Sequence, residues 1–252
     1  AVNDAPVVSG AGATLAYTEN ASATVIDADL TLSDVDSNNL TGATVTISGN
    51  FQSGGEDVLA FTAASGSNIT GSFNNSTGVL TLSGTTTKAL YEQTLESVTY
   101  QNTSDNPSTS ARTITWHVND GSGANNLSSA VTSTVAVAAV NDAPVVSGAG
   151  ATLAYTENAS ATVIDADLTL SDVDSNNLTG ATVTISGNFQ SGGEDVLAFT
   201  AASGSNITGS FNNSTGVLTL SGTTTKALYE QTLESVTYQN TSDNPSTSAR
   251  TI

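Results

Sequence analysis

The chain has 252 residues, with 23 Asp plus Glu against 4 Lys plus Arg, no Cys, no Met, one Trp and one His. A formal charge of −19 excludes electrostatic binding to nucleic acid or to an anionic membrane, because phosphate contacts need Lys and Arg. The lack of Cys excludes disulfides and thiolate metal sites, and leaves the acidic excess either as a solvated surface or as carboxylates gathered for hard cations.

Residues 1–114 recur letter for letter as 139–252, a period of 138 residues. That period is long enough to bury its own core and far longer than a small solenoid repeat. The pattern therefore reads as an array of whole domains: 1–139 a complete unit, and 140–252 a second, identical unit that stops before its last two strands. No signal peptide, lipidation motif or apolar run of membrane-spanning length stands in this window, so no membrane insertion is expected of this stretch.

Within one unit the signal is β throughout. Leu15-Ala16-Tyr17 is a short strand, and 43–47 alternates apolar and β-branched polar residues. Short runs follow at 58–61 and 71–73. Asn74-Asn75-Ser76-Thr77-Gly78 then predicts a hairpin into 79–82, with Gly78 free to take a positive φ. Residues 86–95 break the pattern: good helix formers separate Leu90, Tyr91 and Leu95, which predicts a short helix crossing between sheets. Strands resume at 98–100, 112–118 and 131–137. Turn signals every 8–12 residues between short alternating strands argue for an antiparallel sandwich. The alternation points Val45, Ile47, Leu59, Phe61, Leu80, Leu82, Val98, Tyr100, Ile114, Trp116, Val118, Val131, Val135 and Val137 inward. The same phase turns His117 outward, against a catalytic role.

The acids gather at strand ends and loops: Glu19-Asn20, Asp27 and Asp29, Asp34-Val35-Asp36-Ser37-Asn38-Asn39, Glu56-Asp57, Asp105-Asn106 and Asn119-Asp120-Gly121. Each D-x-D alone reads either as a solvated turn or as oxygen ligands of calcium. An ion that takes about 6–8 oxygens needs several loops to converge. Glu56-Asp57 follows Gly54-Gly55, as in glycine-rich calcium nonapeptides, but the repeat that motif requires is absent. A carboxylate pair for glycoside hydrolysis lacks aromatic platforms and a marked cleft. A catalytic triad or a metal hydrolase lacks an inward His. No enzyme is expected.

Taken in order, Val2-Asn3-Asp4-Ala5-Pro6, Glu19-Asn20, Asp34-Val35-Asp36 with Asn38, Val118-Asn119-Asp120-Gly121, the Val-rich strand 131–137 and again Val140-Asn141-Asp142-Ala143-Pro144 resemble the cadherin-like tandem repeats of large bacterial surface adhesins of the biofilm type. The resemblance spans the whole period. It implies tandem antiparallel Greek-key β-sandwiches, cadherin- or Ig-like, with one short helix per unit, and Ca2+ as the cofactor. The implied ligands at the junction are Glu19, Asn141, Asp142, Asp172 and Asp174, with Asp105 where the family often places another acid. Asp34, Asp36 and Asp120 would form the set at the N-terminal end. Ala139 stands where animal cadherins carry an acid and a following Asn is missing, so one or two ions per junction are expected. The implied function is a calcium-stiffened extender repeat of a long bacterial cell-surface adhesin, extracellular or secreted. The alternative is a self-assembling extracellular filament or surface-layer subunit, and a third is a module that binds glycans. The expected partners are neighbouring repeats of the same chain and other copies of itself in a fibre.

Overall fold

The computed structural model describes residues 2–252 and divides into two units, the first ending at Asn141 and the second running from Asp142 to Ile252. In chain order, unit 1 holds β1 (Val7–Ser9), β2 (Thr14–Thr18), β3 (Thr24–Val25), β4 (Thr31–Ser33), β5 (Asn39–Gly49), β6 (Asp57–Ala60), β7 (Thr70–Asn74), β8 (Val79–Thr87), α1 (Lys88–Glu96), β9 (Thr99–Asn102), β10 (Arg112–Asn119) and β11 (Val131–Ala138). Unit 2 holds β12 (Val145–Ser147), β13 (Thr162–Val163), β14 (Thr169–Ser171), β15 (Asn177–Thr184), β16 (Asp195–Ala198), β17 (Thr208–Asn212), β18 (Val217–Thr225), α2 (Lys226–Glu234) and β19 (Thr237–Asn240).

Unit 1 is an all-β sandwich. One sheet runs β2-β11-β10-β5-β8-β7, the other β3-β9-β6, and β1-β4 forms a separate ribbon. The β7–β8 hairpin turns at Gly78 with φ +71°; a Cβ there would also meet the Phe51 ring at 3.0 Å. Helix α1 carries the chain from the six-stranded to the three-stranded sheet, as the break at 86–95 predicts. It buries Tyr91, Thr94 and Leu95, an i, i+3, i+4 stripe. Thr94 Oγ1 donates to Leu90 O at 2.7 Å and accepts from Ala64 N at 3.0 Å, pinning the 61–69 loop to the helix.

Two features depart from the sequence reading. The pairing is not wholly antiparallel: β2 joins β11 in parallel, with Leu15 beside Val135 and Tyr17 beside Val137. The second and last strands of the unit thus close against each other, which is possible because the rest of the sandwich is the crossover between them. The strands β1, β3 and β4 were not foreseen; at two or three residues each they are too short to show alternation.

Of the fourteen core positions, all are buried but Phe61 and Val131, which pack against the core while partly exposed. Leu30, Leu40, Tyr17 and Tyr91 join them, and Tyr17 meets Tyr100 edge-on at 5.0 Å between ring centroids. Strand β10 supplies the centre of the core through Ile114, Trp116 and Val118. His117 faces the other side, where Nδ1 lies 3.0 Å from Ser128 O.

Unit 2 repeats the architecture only as far as its residues allow. Ile252 is the counterpart of Ile114, so Trp116, Val118, Val135 and Val137 have no counterparts among the 252 residues. The central strand shortens from Asn39–Gly49 to Asn177–Thr184, and residues 152–156, identical to β2, form no strand. Trp116, the one Trp, reports on unit 1 alone. Its fluorescence in rising denaturant should show a single transition, that of unit 1; a biphasic trace would contradict this.

Candidate functional site

The acidic end of unit 1 is assembled from the 2–6 segment, the 34–39 loop after β4 and the 120–127 loop after β10. Strand β10 places Asp120 on the inward phase that already carries Ile114, Trp116 and Val118, so it emerges at the rim of the core, 8% exposed. Asp120 Oδ1 accepts Ser122 N at 2.8 Å, and Oδ2 accepts Asn3 Nδ2 at 2.8 Å. Ser122 Oγ returns a bond to Asn3 Oδ1 at 2.8 Å, and Asn125 Nδ2 donates to Asn3 O at 3.0 Å. Asp36 Oδ2 accepts the Asp4 amide at 3.2 Å.

Asp34 nucleates its loop. Its Oδ1 accepts the amides of Asp36 at 3.1 Å and Ser37 at 2.9 Å, while its carbonyl accepts Lys88 Nζ at 2.7 Å. Its Oδ2 is buried with no hydrogen-bond partner. Burial raises the Asp34 pKa, but the two amides, the Asp36 side chain and the Lys88 charge outweigh it and hold the group below its ordinary value.

Unit 2 builds the same local pattern. Asp172 Oδ1 accepts the amides of Asp174 at 3.0 Å and Ser175 at 2.8 Å, Lys226 Nζ donates to Asp172 O at 2.6 Å, and the Asp142 amide donates to Asp174 Oδ2 at 2.5 Å. Glu19 sits at the far end of unit 1, 5% exposed. Its Oε2 accepts Val140 N at 2.7 Å, and its Oε1 is buried without a hydrogen-bond partner. Asn141 follows in the exposed linker, and Asp105 is exposed in the 103–111 loop.

The structure therefore ties Asp36 to Asp4 and Asp120 to Asn3, beside Asp34. Among the described residues, no three Asp, Glu, His or Cys side chains form a group able to hold a metal. The donor chemistry nevertheless suits a hard cation. The candidate side chains offer only carboxylate and amide oxygens, and, among the described residues, two of the three buried side-chain atoms that lack a hydrogen-bond partner are carboxylate oxygens of expected ligands, Glu19 and Asp34.

A second acid has a different task. Asp57 and Arg112 are fully buried and paired, Arg112 Nε to Asp57 Oδ2 at 3.1 Å. Arg112 Nη2 donates to Asp57 Oδ1 at 3.1 Å, as do Tyr100 Oη at 2.6 Å and Asn102 Nδ2 at 2.8 Å, while Gln52 N donates to Oδ2 at 2.8 Å. Arg112 Nη1 meets the carbonyls of Ser108 and Ser110. Asp57 is thus occupied by the core. The alternation that points Ile114 inward also points Arg112 inward, which is the signal that could have found this pair.

No family model matches the chain. Over 112 residues it is 38% identical to Halomucin of Haloquadratum walsbyi, which covers 43% of this chain and 1% of that protein. The chain thus spans about 1% of the length of this curated relative. Among solved structures it is similar to Protocadherin Gamma B7 extracellular cadherin domains 1–4, at 16% identity and a TM-score of 0.31, covering 88% of this chain and 42% of that one. PcdhgB3 EC1-4 is similar at 16% identity and a TM-score of 0.29, with the same coverage. The sandwich itself is read from the chain's own strands.

Proposed function

We propose that this chain is a stretch of calcium-stiffened extender repeats from a long extracellular adhesin, whose work is to hold a distal binding region away from a cell surface. The observation that supports it is the attachment of the segment entering a unit to that unit's acid loops: Asn3 to Asp120 and the Asp4 amide to Asp36. The entry into unit 2 has the same link, from Asp142 to Asp174. The proposed ligands are those expected from the sequence. A bound calcium would neutralise carboxylates that otherwise repel one another. Asp34, Asp36 and Asp120 would then grip the entering segment more firmly and restrict its bending.

The test is thermal melting and solution scattering of the chain in calcium, magnesium and EGTA. Calcium about 100-fold above its Kd should raise the unit 1 Tm by roughly 10 °C, since such binding is worth about 2.7 kcal/mol. Asp34→Asn with Asp36→Asn should abolish that gain. Equal melting temperatures and equal maximum dimensions in calcium and EGTA would refute the calcium reading.

A further inference from the structure

Strand β7 is the outermost strand of the six-stranded sheet, and one of its sides pairs with β8, from Thr70 opposite Ser83 to Asn74 opposite Val79. Its other side is open. Among the described residues, no backbone hydrogen bond outside the β7–β8 ladder reaches Thr70, Gly71, Ser72 or Phe73. Such an edge is a template for another strand, and proteins blunt it with charges, Pro or a bulge. Strand β7 has none of these: it reads Thr-Gly-Ser-Phe-Asn, and its ladder with β8 runs without a register shift. Residues 58–87 carry no charged side chain, in a chain of net charge −19. The other edge strands of the two sheets stand close to acids. β2 runs into Glu19, β3 lies just before Asp27, and β6 begins at Asp57.

The edge also has a shape. Gly71 and Phe73 lie on the core side of the sheet. Only Gly fits at 71, since a Cβ there would meet Leu82 Cδ2 and Thr81 O at 2.6 Å and the Phe61 ring at 3.0 Å. Phe73 meets Phe51 edge-on at 6.4 Å between ring centroids, and both Phe61 and Phe73 keep part of their surface open. A gap at Gly71 thus stands beside an aromatic ring at Phe73. Unit 2 repeats this edge at β17, with the same burial and the same register on β18. There Gly209 lies against Leu220 and Phe199, and Phe211 meets Phe189 at 6.4 Å. Residues 196–225 again carry no charge.

We propose that β7 and β17 are self-pairing edges, and that each takes the same edge of a second copy of this chain. The strands join antiparallel about a two-fold axis, in the register that pairs all five residues: Ser72 opposite Ser72, Gly71 opposite Phe73 and Thr70 opposite Asn74. The surface is isologous. Phe73 of each copy covers Gly71 of the other, an aromatic ring over a cross-strand glycine, while the open N–H and C=O groups of the two edges satisfy one another. A foreign strand could meet the backbone but not this alternation of gap and ring. The acids of the chain oppose association, and a charge-free edge brings no like charge into the contact itself. Two such edges per chain allow pairing to continue beyond a dimer. None of this rests on calcium.

The experiment is sedimentation equilibrium of the 252-residue chain in EGTA over a range of concentrations, with hydrogen exchange at both ends of the range. The average mass should rise reversibly with concentration, and new protection should fall on Thr70–Asn74 and Thr208–Asn212. Ser72→Lys with Ser210→Lys sets two ammonium groups face to face at the centre of each pair, where like charges are destabilising, so this variant should stay monomeric. Both serines are exposed, and circular dichroism checks that the fold is kept. Ser22→Lys with Ser160→Lys makes the same change of net charge at exposed sites off the edge and should associate as the parent does. Four outcomes would overturn the proposal. One is a parent chain that is monomeric at every concentration, which leaves the edge to a foreign strand or to none. The second is association without protection of the two edges. The third is a Ser72→Lys, Ser210→Lys variant that associates like the parent, and the fourth is equal loss in Ser22→Lys, Ser160→Lys. Protection in the parent decides the matter even where the lysine variant fails to fold.

Discussion

Asp57→Ala is expected to lower the stability of unit 1 by about 3–5 kcal/mol, the cost of leaving one partner of a buried ion pair behind. The substitution strips the acceptor from Arg112, Tyr100, Asn102 and the Gln52 amide at once, so a full positive charge and three further donors remain in the core. Desolvation, then the Asp57 acceptor and its charge, push the Tyr100 hydroxyl far above its ordinary pKa, so Tyr100 is a neutral donor to the carboxylate in the parent chain. Asp57→Asn should recover little, because it keeps the shape but not the charge. Replacing both partners with apolar residues of similar volume should restore most of the stability, since the pair's own desolvation cost goes with it. Denaturant unfolding followed by Trp116 fluorescence measures all three. A loss under about 1 kcal/mol for Asp57→Ala, the level of an exposed ion pair, would show that the network contributes little. In unit 2, burial raises the Asp195 pKa, but Arg250, Tyr238, the Gln190 amide and Asn240 bring it below its ordinary value. The folded pKa thus lies under the unfolded one. This contribution is present above about pH 3.9 and is lost as the pH falls through the folded pKa, so unit 2 should weaken in acid.

The sandwich was legible because its strands alternate: a period of two with β-branched residues sorts side chains to two faces without any long-range information. The helix was legible because Leu90, Tyr91 and Leu95 break that period. What stayed hidden has two physical causes. Strands of two or three residues, such as β1 and β3, carry no period, and the parallel β2–β11 closure pairs strands near opposite ends of the unit, which local pattern does not encode. The acidic end shows the same split. The motif order placed Asp34, Asp36 and Asp120 in loops, and the structure links those loops to Asn3 and Asp4 through hydrogen bonds. No sequence feature indicated that Asp34 Oδ2 and Glu19 Oε1 would be buried without a donor, because burial of a loop carboxylate depends on packing that only the fold determines. Asp57 was read as a loop acid for want of its partner, which lies 55 residues away in sequence.

Trp116→Ala should cost unit 1 about 3–5 kcal/mol, the range for deleting a fully buried aromatic side chain. The residue is fully buried on a strand paired on both sides, to β5 and to β11, so the surrounding backbone has little freedom to collapse into the void. The indole N–H also leaves Ser133 Oγ without its donor, although that hydroxyl keeps its bond to Asp27. Trp116→Phe separates the two effects: it retains most of the volume and should cost about 1–2 kcal/mol for the lost hydrogen bond and the smaller ring. Both variants lack the fluorophore, so circular dichroism is the measurement. Trp116→Ala should move the unit 1 transition to lower denaturant. A unit 1 transition left in place would mean that the surrounding side chains collapse into the void after all.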